Sequence, residues 1–314
     1  MGKIDLQRAT TLEARAPRAA HVRWWARNQR RVAPYIFISP FYILFVLFLA
    51  GPALFAFLLS FTKWNGVDVI RGVGLANYAN LLTDGSFGLS IANTLWYMFS
   101  SLFVVCPLAL VLALVLNSGL VRGKWLFRTI YFIPAVTSVV AIAIMFLLLY
   151  DKDYGLINAG LQVVGLPTVD WLGDPTMAKI AVIGLIIWRW TGFIMIYFLA
   201  GLQAIPREMH EAAWVDGANR WQSFLHVTIP LLRPVILFVA VIVLIGSAQV
   251  FEEPYILTRG GPADATLSIV QYLYRQGFEY LQLGYASAIG VALFVVIFAL
   301  SLLQMRFLGA FRED

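Results

Sequence analysis

Between two long apolar stretches, residues 205–234 read IPREMHEAAWVDGANRWQSFLHVTIPLLRP, a polar passage without an acidic excess. The chemistry on offer here is recognition. Glu211 supplies a carboxylate, Ala212 and Ala213 keep the surface thin enough for another backbone to approach, and Asp216-Gly217 reads as a helix stop. Glycine closes such a stop because it enters the left-handed conformation without a Cβ penalty. Pro206 suits a helix start, and Glu208 lies where the helix dipole favours negative charge. Trp221, Phe224 and Leu225 follow at helical spacing, with Pro230 and Pro234 marking the return to apolar sequence. A short helix, a turn and a second helix on a membrane protein's face is what docking onto a soluble partner requires.

Charges inside apolar runs are costly and mark function or pairing. Arg189 sits mid-run between Trp188 and Trp190, and Glu252 and Glu253 close a later run after Ser247 and Gln249. Helical spacing puts Ile186, Arg189, Trp190 and Phe193 on one face, and Gly246, Gln249, Val250 and Glu253 on another. Aromatic faces with a few polar groups suit a sugar, whose apolar side stacks while its hydroxyls seek partners. The other reading is that Arg189 pairs with a glutamate and locks two helices. Nothing points to catalysis. The stretch from Gly119 to Trp125 has one residue too few between its glycines for a phosphate loop, and Trp stands where Ser or Thr belongs. No histidine has triad neighbours, and the lone Cys106 forms neither a disulfide nor a zinc site within the chain.

These residues need a frame, and composition names it. Of 314 residues, 61% are hydrophobic and 13% charged, against about a quarter charged in soluble domains. The fold class is therefore an all-α polytopic membrane protein. Apolar runs at 34–61, 91–116, 130–150, 178–202, 235–257 and 285–308 are each long enough to span, which predicts six transmembrane helices. A basic cytoplasmic tail, 1–33, precedes an uncleaved first helix, and 309–314 follows the last as a cytoplasmic C-terminus. Sixteen Lys and Arg fall on the side of both termini and five on the other, so the termini and the 205–234 loop belong in the cytoplasm. The same distribution explains the net charge of +6 without nucleic acid. Trp64, Trp96, Trp125, Trp171 and Tyr150 read as interface anchors, and prolines 40, 52, 107 and 134 as kinks.

Glu211-Ala-Ala, then Gly217, then Val227-x-Ile229-Pro230 resembles the EAA loop of the membrane subunits of binding-protein-dependent ABC importers. GLANY at 74–78, RTIYFIP at 128–134, YGLIN at 154–158 and LTRGGP at 257–262 resemble segments of carbohydrate-importing permeases, specifically the first of two sister permeases. The resemblance covers 34–308 and implies a sugar or polyol substrate and a cell membrane of a bacterium or archaeon. It also implies a sister permease, an ATPase dimer and an extracytoplasmic solute-binding protein. No cofactor is expected in this chain, since ATP and Mg would sit on the ATPases. Glu211, Ala212, Ala213, Asp216, Gly217 and Pro230 are then the ATPase-coupling residues. Arg189, Trp190, Phe193, Gly246, Ser247, Gln249, Val250 and Glu253 are candidates for the substrate pathway. An ion-coupled secondary transporter is the alternative; it calls for internal repeats and a midplane ion site, and neither is visible.

Overall fold

The structure, a computed structural model, describes residues 20–119 and 121–307, with side chains from Arg30 to Arg306. Most of the basic tail and all of 309–314 lie outside the described residues. The chain divides after Ala56 into two compact units. The first holds α1 (Ala20–Phe45), a π-helical turn (Val46–Ala50) and the start of α2 (Gly51–Leu59). Its apolar side chains are exposed almost throughout, as expected of a helix whose surroundings are lipid or another subunit.

The second unit opens with a two-residue hairpin, β1 (Thr62–Lys63) against β2 (Arg71–Gly72), and the short α3 (Ala76–Thr83). Helix α4 spans Gly85–Asn117; α5 (Lys124–Val136) and α6 (Val139–Leu149) follow, then the short α7 (Leu156–Val163). Helix α8 (Pro175–Ala204) is capped by Asp174, whose carboxylate accepts from the Thr176 and Met177 N–H groups at 2.9 Å. Next come α9 (Arg207–Val215) and α10, residues 220–248, then α11 (Glu252–Leu257), α12, residues 269–279, and α13 (Leu283–Phe307).

Helix α8 is the axis of this unit. Its Ile194, Met195, Phe198 and Leu199 are packed by Val105, Ala109 and Ala113 of α4 and by Leu232 and Val239 of α10. Higher up, Val182, Leu185 and Ile186 meet Ile142 and Phe146 of α6. At Gly192 the α5 backbone comes so close that a Cβ would lie 1.7 Å from the Tyr131 carbonyl oxygen. Only glycine fits that crossing.

The elements depart from six plain spans in two places. The 130–150 run is two helices meeting at 97°. Thr137 is extended, with ψ of 150°, and its hydroxyl donates to the Ile133 carbonyl at 2.8 Å, ending α5; Ser138 then starts α6. The 235–257 run begins at 220 and stops at Ala248, with Gln249 to Phe251 outside any helix before α11. Gly246, Gln249, Val250 and Glu253 therefore do not form one helical face. Of the four prolines expected to kink spans, Pro40 and Pro134 lie inside α1 and α5, and only Pro52 and Pro107 follow an irregular turn. π-Helical turns at Val46–Ala50, Ser101–Val105 and Phe224–Thr228 lie just ahead of Pro52, Pro107 and Pro230. A widened turn accommodates a ring that would otherwise strike the carbonyl four residues back.

Candidate functional site

Helix α9 has no buried residue. Its start is set by Pro206, extended at φ −60° and ψ 140°, one position earlier than a first helical residue. Its end is a double hydrogen-bonded cap: Gly217 N–H donates to the Trp214 carbonyl at 3.1 Å and Ala218 N–H to Ala213 at 2.9 Å. Gly217 has φ +82°, the left-handed conformation this cap requires. Two residues on, Asn219 and Gln222 form a reciprocal capping box that starts α10. His210 Nδ1 and Ser223 Oγ, 3.0 Å apart, tie α9 to the foot of α10. Glu208, Glu211, Ala212 and Asp216 face outward, as do Met209, Trp214 and Trp221. Among the described residues, Glu211 makes no ion pair. Pro230 is exposed on the helix that the π turn feeds. The result is a rigid hairpin showing carboxylates and large apolar side chains with none of the described residues over them.

The pathway candidates divide into two groups. Arg189 Nη1 donates to Glu253 Oε1 at 2.9 Å, with Glu253 only 2% exposed. The guanidinium also lies 5.0 Å from the Trp190 ring centroid, in the cation–π range. The pair joins α8 to α11 across the break after Ala248. Of the two readings of Arg189, pairing with a glutamate is the one the structure contains. Trp190, Gly246, Ser247 and Val250 instead line a cavity of about 90 Å³ together with Ser101 and Ile194. Arg189, Phe193, Gln249 and Glu253 are not part of that lining. Phe193 stacks on Phe132 and meets Trp190 edge-on, and Gln249 is exposed at the helix end. The Ser247 hydroxyl is spent on the Val243 carbonyl at 2.6 Å. A volume near 90 Å³ falls well below the roughly 300–1,000 Å³ of ligand pockets.

The family pattern described as "Binding-protein-dependent transport system inner membrane component" matches residues 105–312. The chain belongs to this family. The permease is 38% identical over 287 residues to the permease protein AraP of an arabinooligosaccharides transport system from Bacillus subtilis, covering 91% of each chain. It is 36% identical over 275 residues to the lactose transport system permease protein LacF of Rhizobium radiobacter, covering 86% of this chain and 92% of that one. Among solved structures, it superposes with a TM-score of 0.79 and 27% identity on a chain of a bacterial alginate ABC transporter in complex with an alginate pentasaccharide-bound periplasmic protein. That match covers 93% of this chain and 99% of the other. A multi-pass membrane transport component, not an enzyme, is what this family and this fold make of the sequence.

Sequence reasoning missed one cluster. Asn93 Nδ2 donates to the Asp264 and Leu267 carbonyls, Tyr97 Oη to Thr266, and Arg275 pairs with Asp264 at 3.0 Å. These bonds hold the RGGP segment onto α4 and α12. Its signal was a resemblance alone, because the partners lie about 170 residues away.

Proposed function

We propose that this permease is one of two membrane subunits of an ATP-driven importer for a sugar or related polyol, and forms half of its passage. The family assignment and the saccharide-transporting relatives support that class, and the alginate complex supports a periplasmic solute-binding protein as a partner. In this reading both termini and α9 face the cytoplasm of a bacterial or archaeal cell, and 34–308 forms the transmembrane domain. An ATPase dimer seats on α9 and holds the ATP and Mg. A sister permease completes the passage.

One observation carries the mechanism. Helix α9, exposed and tied to α10 through His210 and Ser223, sits at the foot of a helix running from 220 to 248. At 1.5 Å per residue that helix is roughly 40 Å long. Its far end holds Gly246 and Ser247 at the membrane cavity, with Val250 just beyond. Movement of α9 by an ATPase is therefore delivered along one rod to the place where a solute would pass. A partner shifts this equilibrium only if it binds the two states differently, so the grip on α9 must persist through the cycle.

The test is the pair Glu211→Lys and Gly217→Arg in the assembled transporter. Reversing a charge at a docked contact costs about 2–5 kcal/mol. A side chain at φ +82° adds backbone strain of about 1–2 kcal/mol. Both variants insert normally but lose sugar uptake, and ATPase subunits co-purify at least about tenfold less well or hydrolyse ATP without responding to the loaded binding protein. Full uptake with normal ATPase retention in both variants refutes the coupling role.

A further inference from the structure

We infer that the cleft between the β1–β2 hairpin, α3 and the segment 276–285 is a binding site for a neutral oligosaccharide, separate from the cavity in the membrane. The inference rests on the sugar-import reading, which also places this cleft on the extracytoplasmic face.

The half-open cleft offers about 1070 Å³, just above the roughly 300–1,000 Å³ range of ligand sites. It thus takes more than one sugar ring where the membrane cavity takes none. Its walls are fixed by the chain's own bonds. Asn77 Nδ2 donates to the Ser60 and Thr62 carbonyls at 2.8 Å, seating α3 under the hairpin. Asp84 caps α4 through Ser86 and Phe87 N–H, while its other oxygen accepts from Tyr285 at 2.6 Å and from Tyr272. A site built this way is formed before the ligand arrives, which lowers the ordering cost of binding.

The groups left over are the ones a saccharide uses. Tyr280 is 57% exposed and, with the Trp64 ring on the hairpin side, lends aromatic surface to the cleft. The side chains of Asn80, Tyr280 and Gln282 line it and make no hydrogen bond among the described residues. Two amides and a phenol supply both donors and acceptors, matching hydroxyls that need both. Charge decides between a neutral and an acidic chain. Lys63 and Arg71 face each other across the hairpin and are balanced in the lining by Asp68 and Asp84. Asp84 is already satisfied on both oxygens. A cleft without net charge, aromatic on its faces and amide-rich between them, selects hydroxyls over carboxylates. A protein partner is the other class of occupant, and the test below separates it from a saccharide.

The experiment uses the full chain with its co-purified subunits in lipid nanodiscs, without the solute-binding protein. Calorimetric titrations are run with maltopentaose, xylopentaose and arabinopentaose, and with pentagalacturonic acid as the acidic probe. A neutral pentasaccharide binds, and the Asn80→Ala/Tyr280→Ala double variant binds it at least about tenfold more weakly. Neither side chain supports the fold, so thermal stability stays put. Ser247→Leu, in the membrane cavity, leaves the titration unchanged. The inference is overturned if no neutral probe binds up to about 10 mM, if the double variant binds as well as the wild type, or if the acidic probe binds as tightly. It also falls if the double variant loses only its association with the solute-binding protein. Uptake into vesicles is measured in parallel: sugar uptake without cleft binding removes this inference alone, whereas absence of any sugar uptake removes the reading beneath it.

Discussion

Arg189 and Glu253 bring two opposite charges into the apolar interior, and each is tolerable only because of the other. Removing one partner of a buried pair costs about 3–5 kcal/mol, while replacing both with apolar residues of similar volume is close to neutral. Arg189→Met and Glu253→Leu should each lower the melting temperature and yield of the purified permease. The double variant Arg189→Met/Glu253→Leu should recover most of that loss. If the double variant is as unstable as the two singles combined, the pair is not a mutual lock. A direct role in the passage shows a different signature, with transport lost in the single variants at unchanged stability. The sequence marked Arg189 as functional or paired and left both readings open, since a partner 64 positions away is invisible to helical spacing. Gly217 was legible for the opposite reason. A helix stop is local chemistry, and Asp216-Gly217 spells it out within one turn.

Elements were legible where the code is local and illegible where apolar sequence runs through a break. Neither Thr137-Ser138 nor Gln249-Val250-Phe251 contains a glycine or proline, so hydropathy continues across both. The break after Ala248 goes with tertiary contacts: the stub α11 packs against α6 and is pinned to α8 by Glu253, whereas at Thr137 the hydroxyl's bond to the Ile133 carbonyl marks the stop. Asp84 is the opposite kind of device, one residue joining three elements. Burial works to raise its carboxyl, but hydrogen bonds from Tyr272 and Tyr285 and from Phe87 and Ser86 N–H outweigh it, and the group lies below the usual Asp range. A lowered value means a contribution fully present above the ordinary Asp value of about 3.9 and lost as pH falls through the folded one. Asp84→Asn keeps an oxygen for the cap but turns a donor toward two tyrosine hydroxyls. It should destabilise the permease by about 1–3 kcal/mol at neutral pH. The wild type's advantage over Asp84→Asn should hold down to about pH 4 and shrink below it. Thermal melts of both proteins across pH 3–8 check this, and an advantage already fading near pH 6 contradicts it.

For the molecule as a whole, the bent pair decides which way every later element faces. Helices α5 and α6 have 13 and 11 residues, roughly 20 and 16 Å at 1.5 Å per residue, so neither alone crosses a hydrocarbon core of about 30 Å. If they cross together, there are six spans and both ends lie on one side. If they dip and return, there are five, and the α9 loop and the 151–174 loop exchange sides. The flanking charges argue for a crossing. Arg122 precedes the pair and Lys124 and Arg128 lie in its first turns, whereas Lys152 alone follows it among Asp151 and Asp153, and positive residues collect on the cytoplasmic side. Single cysteines at Arg122, Asp170 and Glu208, placed in a Cys106→Ser background, convert this into a measurement in intact cells. An impermeant thiol reagent should label the cysteine at Asp170 at once, and those at Arg122 and Glu208 only after the membrane is opened. Asp170 is a safe site because its ion pair with Lys152 is exposed on both sides, and such pairs are worth about 0–1 kcal/mol. Labelling of Arg122→Cys and Asp170→Cys from the same side would mean that α5 and α6 turn back within the membrane. The cytoplasmic position of α9, and the ATPase docking built on it, would then have to be given up.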